Sequence, residues 1–248
     1  MYALTGTNHA QLARSLPATT SEPCLENLFC GQASETFAPG QAVFWQGDPA
    51  KDVFEIREGV VRLYRILPDG RRAIVGFIFP GDILGVAYRD QYLFTAEVIT
   101  QLRLRRLPRS RFDSLVNESV HLRPILLARL CDEMCAAQDQ MLALLHHSSE
   151  ARVAQFLLTV ARKMNGGEAD KGAEIQVVMS RSDIADYLGV TIETICRCIS
   201  KLKSEGLITL HGPYRIVIAA PRALAELAGE EIPSTGPKVC TTAAAWPC

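Results

Sequence analysis

No run of apolar residues in this 248-residue chain approaches the length of a bilayer-spanning helix, which argues against a membrane partner. Between Met1 and Ser21 no charged segment is followed by an apolar one, so a secretory leader is not expected and the protein is expected in the cytoplasm. A charge excess is missing too. Lys and Arg number 26 against 27 Asp and Glu, so any contact with nucleic acid must come from a local basic cluster. Catalytic constellations are equally absent: there is no phosphate-cradling glycine loop with Lys, no His-Glu-x-x-His and no plausible Ser-His-Asp set, so no enzyme is expected. Apolar residues are plentiful at 48%, enough for two modest domains with real cores. Eight cysteines without a leader read as reduced thiols, metal ligands or redox switches rather than a disulfide framework.

Between Gly40 and Pro108 short β-rich runs alternate with turns at Pro39-Gly40, Gln46-Gly47, Glu58-Gly59, Pro68-Asp69-Gly70 and Pro80-Gly81. Strands are expected over Val53–Arg57, Val60–Leu67, Arg72–Phe79 and Gln101–Leu107, the last with Leu102 and Leu104 inward and Arg103 and Arg105 outward. Hairpins at this regular spacing suggest an antiparallel barrel or roll.

After Pro124 the period becomes helical. Leu127, Leu130, Met134, Ala137, Met141 and Leu144 recur at alternating steps of three and four, the seam of a coiled coil. Such a helix either packs on its own roll or meets a partner helix, and a narrow stripe on a helix joining two domains favours the partner, most simply in a homodimer. Cys131 and Cys135 lie one turn apart on it and read as packing residues of that interface, and His146-His147 as side chains meeting the carbonyls of the helix end. A second helix is expected from Ser148, burying Val153, Phe156, Leu157 and Val160 before Asn165-Gly166-Gly167, with Glu168–Ala173 a loose connection.

The most informative stretch runs from Met179 to Ile208 and holds two short helices. Ser180 caps the first, Asp183 favours its positive end, and Ile184, Ala185 and Leu188 form its buried face; Gly189 then permits a tight turn. Thr191 caps the second, with Ile192, Ile195, Ile199 and Leu202 expected inside and Glu193, Thr194, Cys196, Arg197 and Lys201 outside. In a helix-turn-helix this outer face reads the major groove, where Arg can bond guanine twice and Glu can accept from cytosine N4. Lys201, Lys203 and Arg181 are placed to touch phosphates. Leu207–Leu210 and Tyr214–Ile218, joined by His211-Gly212-Pro213, read as the wing.

The fold expected is α+β: an N-terminal antiparallel β-roll of cupin-like jelly-roll type, a long dimerisation helix and a C-terminal winged helix-turn-helix. The divisions are a flexible tail over 1–22, a roll over 23–120, the helix over 121–146, the DNA-binding domain over 147–230 and a second tail over 231–248.

That order, with Asp183-Ile-Ala-Asp-Tyr-Leu-Gly and Thr191-Ile-Glu-Thr-Ile-Cys-Arg, resembles the CRP/FNR superfamily of bacterial regulators over Phe37–Gly229, and most closely its FNR and FixK branch. The reading helix of that branch carries Glu-x-x-Ser-Arg, and Cys196 stands here at the serine. The resemblance implies a homodimer on double-stranded DNA, a palindrome of TTGA-type half-sites with Glu193 and Arg197 reading the G·C pair, and recruitment of RNA polymerase as an activator. The hairpin tip Asp69-Gly-Arg-Arg72 offers one polymerase contact, a solvated turn being the competing reading. It also implies genes of oxygen-limited respiration or nitrogen fixation.

Cyclic-nucleotide sensors of the superfamily hold phosphate with a glycine-rich turn and an Arg-Ser pair. Gly81-Asp82-Ile83-Leu84-Gly85 keeps the turn, but no Arg-Ser pair occurs between Asp90 and Ala96, so cyclic AMP is not expected to bind. Members of FNR type sense oxygen with an iron–sulfur cluster. Cys24 and Cys30 match two of its ligands, but Ser21 and a thiol-free Leu102–Leu107 strand leave two missing. The expectation is therefore no cofactor and no effector, with the cluster as the alternative. Cys196, between the base readers, is the expected redox-sensitive residue: oxidation to a sulfinic or sulfonic acid sets negative charge against phosphates, and Arg197 is a neighbour able to lower the thiol pKa.

Overall fold

The computed structural model describes residues 24–86, 90–165 and 172–230. Two four-stranded antiparallel sheets build the roll. One has the order β1 (Ser34–Phe37), β8 (Leu102–Pro108), β3 (Asp52–Glu58), β6 (Ile83–Leu84); the other β2 (Ala42–Phe44), β7 (Thr95–Val98), β4 (Val61–Ile66), β5 (Arg72–Ile78). β3, β4, β5 and β8 are the strands expected from alternation, each within one residue at either end. The other four were not foreseen. They are two to four residues long, too short for alternation to register.

Phe44, Phe54, Ile56, Val61, Val98, Leu102 and Leu104 fill the space between the sheets. The ring of Tyr92 stacks on Phe44 with centroids 3.7 Å apart, and its hydroxyl donates to the Asp52 carbonyl at 2.8 Å. At the β3–β4 turn Gly59 has φ +90°, and a Cβ there would run into the Gln101 carbonyl, so this turn admits only glycine.

A 3-10 helix (Leu25–Phe29), α1 (Arg109–Glu118) and the start of α2 (Leu122–His146) close one end of the roll around Val53, Ile83, Leu107, Phe112 and Val116. α2 begins two residues ahead of Pro124, which falls in the first turn, where its missing N–H is not needed. Leu122, Leu126 and Ala143 are its buried residues. On the predicted seam Leu130 is half-buried, whereas Leu127, Met134, Ala137, Met141 and Leu144 stand in solvent, Leu127 with 63% of its surface free. Leu142 and Leu145 add to this uncovered face. At the helix end the cap is the backbone amide of His147 on the Ala143 carbonyl; the ring nitrogen Nδ1 of His147 is buried without a partner, so the expected ring-to-carbonyl contact is not made there.

α3 (Ser149–Asn165) starts where Ser148 Oγ accepts the Ala151 amide at 3.2 Å, and it buries the four residues expected of it. Beyond it come β9 (Glu174–Gln176), α4 (Arg181–Leu188), α5 (Ile192–Ser204), β10 (Ile208–Leu210), β11 (Arg215–Ile218) and α6 (Pro221–Ala228). The wing has three strands rather than two, in the order β10-β11-β9. The tails, with Cys240 and Cys248, and most of the Glu168–Ala173 connection lie outside the described residues. Among the described residues no helix is long and apolar enough to cross a membrane.

The roll meets the C-terminal half along β4 and β5. Val60 and Phe79 join the core made by α3, α4, α5 and the wing. Phe77 of β5 packs edge-on to Tyr187 of α4 at 5.4 Å and to Phe156 of α3 at 6.1 Å.

Candidate nucleic-acid interface

Local signals set the two helices. Ser180 Oγ accepts the Asp183 amide at 3.0 Å, opening α4. Gly189 ends it in the left-handed conformation, φ 63°, with its amide on Ala185, and Arg152 of α3 donates to the Leu188 carbonyl at 2.6 Å. Two residues on, Thr191 Oγ1 accepts the Thr194 amide at 3.3 Å and opens α5. Ile195, Cys198, Ile199 and Leu202 fix α5 in the core.

One expectation on α5 changes, and Cys198, for which the sequence offered no role, joins the core. Ile192, expected inside, keeps 45% of its surface exposed beside Glu193, while Cys198 is buried and its thiol is pushed up by that burial. Glu193, Cys196 and Arg197 are all exposed, with Thr194 half-buried between them. The Thr191 hydroxyl, aided by Glu193's own amide, holds the Glu193 carboxyl below the usual range, so it is an acceptor at neutral pH. Arg197 Nη2 donates to Thr194 Oγ1 at 3.3 Å, which lays the guanidinium along the same face.

The cations divide. Lys201 Nζ sits 2.6 Å from Glu150 of α3, which raises its pKa, and the side chain stays exposed. Arg181 and Lys203 have no ion-pair partner among the described residues. At the tip of the β4–β5 hairpin Arg71 pairs with Asp69 at 2.7 Å, but Arg72 points inward, its Nη2 2.7 Å from Asp183 of α4 and 3.3 Å from Asp186. Arg62 of β4 sets Nη1 3.0 Å from both Asp183 oxygens and Nη2 2.6 Å from Glu97 of β7. Sequence reasoning placed Asp183 at a helix start and missed these partners, which lie more than a hundred residues away.

Cys24 is half-buried and burial pushes its thiol up; Cys30 is exposed. Cys131 and Cys135, expected as packing residues, are both exposed in the single chain. Among the described residues no three His, Cys, Asp or Glu side chains converge as metal ligands would. A cavity of about 760 Å³ between the roll and α2 is lined by Phe44, Leu63, Ile74, Phe77 and other apolar groups; the one cation among its described lining residues, Lys163, is held by Asp82 at 2.7 Å.

The Crp-like helix-turn-helix domain family matches residues 151–227, and the cyclic nucleotide-binding domain family matches residues 34–119. The nitrogen fixation regulation protein FixK of Azorhizobium caulinodans is 33% identical over 218 residues, 88% of each chain. That of Rhizobium meliloti is 36% identical over 192 residues, 77% of this chain and 85% of the relative. Among solved structures, FixK2 from Bradyrhizobium japonicum superposes with a TM-score of 0.73 at 30% identity, covering 82% of this chain and 99% of that one.

Proposed function

This chain belongs to the CRP/FNR family of DNA-binding transcription regulators, of FixK and FNR type, and from that we propose that it binds a TTGA-type palindrome as a homodimer, Glu193 and Arg197 of each protomer reading the G·C pair of a half-site. The observation that carries this reading is the exposed pair of an ionised acceptor and a five-donor guanidinium one turn apart on a doubly fixed helix. Arg suits guanine O6 and N7, and a carboxylate suits cytosine N4. Ile192, uncovered at the first turn, suits a thymine methyl, while Ser180, Arg181, Thr191, Thr194 and Lys203 border the groove as phosphate contacts. Binding of the reduced protein to the palindrome and to a copy with both G·C pairs exchanged tests this: selective binding is expected, and equal affinity for both refutes it.

The dimer axis runs along α2 through Leu127, Leu130, Met134, Ala137, Met141 and Leu144. The working division is roll over 23–120, helix over 121–146 and DNA-binding domain over 147–230. The protein works in the cytoplasm as an activator that recruits RNA polymerase, with nitrogen fixation or oxygen-limited respiration as its field and no enzymatic step. Arg72 is not part of the polymerase contact, because it is taken up inside the protein.

No effector is needed. Among the described lining residues the cavity beside α2 has no uncommitted cation for a phosphate, and the segment that would carry an Arg-Ser pair instead carries Tyr92, packed on Phe44. An iron–sulfur cluster finds too few ligands, because among the described residues no third side chain converges with Cys24 and Cys30. Control falls instead on Cys196, the exposed thiol between the base readers. After peroxide the parent is expected to lose operator binding and Cys196→Ser to retain it, measured by fluorescence anisotropy. Equal loss in both would rule out Cys196 as the switch.

A further inference from the structure

Between the roll and α4 lies a group of five charged side chains: Arg62, Arg72, Glu97, Asp183 and Asp186. Its centre, Asp183, is buried, with 3% of its side chain exposed. A carboxylate there is tolerated only while its partners stay, since removal of one leaves an uncompensated charge out of water. Capping α4 does not require these partners, because the Asp183 amide already bonds Ser180 and a helix-start carboxylate is served by solvent. Both arginines instead come from the β4–β5 hairpin of the other domain.

We infer that Arg62, Arg72 and Asp183 are positioning residues that fix the reading helix relative to the dimer axis and so set which half-site spacing the protein accepts. The chain of rigid contacts is continuous. α2 is joined to the roll through the core around Leu122 and Leu126; the roll carries β4 and β5; their arginines hold Asp183; α4 is locked to α5 through Ile184, Leu188 and Ile195. The other ties are the extended link at His147, Val60 and Phe79 in the C-terminal core, the Phe77–Tyr187–Phe156 aromatic contact, the Lys163–Asp82 pair at 2.7 Å and one bond from Gln140 to the Tyr187 carbonyl at 3.3 Å; none of these holds the start of α4. Spacing of half-sites is a geometric property of a dimer, so it depends on this link and not on which bases are read.

The inference rests on the DNA reading proposed for Glu193 and Arg197, and the test separates the two. The full-length parent, Arg62→Met and Arg72→Gln are titrated with palindromes whose half-sites have the fitting spacing, one base pair less and one more, and with the G·C-exchanged copy. Each variant is expected to bind the fitting palindrome about tenfold more weakly. Its preference among spacings should shrink while its preference for the G·C pair stays. Hydrogen exchange without DNA should then show faster exchange in α4 and β5 but unchanged protection in α5 and the wing. Parental affinity and spacing preference in both variants would overturn the inference. So would loss of G·C selectivity, or of α5 protection, in step with affinity, because the group would then serve only folding. A parent without G·C selectivity would instead refute the base-reading assignment itself.

Discussion

Arg197→Ala is expected to lower affinity for the TTGA palindrome by about 30-fold to 10⁴-fold, since each bidentate contact to a base is worth about 1–3 kcal/mol and the dimer makes it twice. The size alone does not identify a base reader; the pattern over DNA sequences does. On the palindrome with both G·C pairs exchanged the parent has already lost this contact, so Arg197→Ala should bind that DNA nearly as the parent does. Arg181→Ala, which removes a phosphate contact, should instead weaken both DNAs alike. Arg197→Lys is not expected to rescue, because an ammonium cannot bond O6 and N7 with a planar fork. Anisotropy titrations of the four proteins on the two DNAs decide it. If Arg197→Ala falls equally on both, Arg197 is a backbone contact and the reading is wrong.

The second large effect is on assembly. Met134 lies mid-way along α2 with 56% of its surface exposed in the single chain, so Met134→Glu should leave the protomer's own thermal unfolding unchanged. In the proposed dimer the same change faces its copy across the seam and buries like charges, which cost several kcal/mol, about a thousandfold in the dimer constant. Sedimentation should show a monomer at micromolar concentration where the parent is dimeric. Operator affinity should collapse with it, because a single half-site supplies only half the contacts. A Met134→Glu dimer as tight as the parent would move the interface off this seam.

The helix-turn-helix was legible because every signal in it is local: two hydroxyl caps, one left-handed glycine and an apolar stripe lie within thirty residues. The limit of that reading is Ile192, which has the right angular position for the core but lies in the first turn of α5, one turn ahead of the buried Ile195, and keeps 45% of its surface exposed. The long helix was legible for its period, and the strands only where they were long enough to alternate. The ionic group around Asp183 was not legible at all. Its members are 111 and 121 residues apart in pairing, and Asp183 already had a sufficient local explanation as the acid of a helix start. Non-local polar pairs leave no periodic trace, because one charge on a strand facing a neighbouring domain looks like any solvated charge.

The ion pair between Lys201 and Glu150 bears on how operator binding responds to salt. A cation that neutralises a DNA phosphate displaces condensed counterions, and each such contact adds about 0.9 to the slope of log affinity against log salt. With its counter-charge inside the protein, Lys201 is expected to displace none, so the dimer should show a slope shallower by about two ions than its basic residues suggest. A regulator built in this way is expected to keep hold of its operator over a wider range of ionic strength, and a measured slope as steep as its full set of basic residues suggests would mean that the pair breaks on DNA.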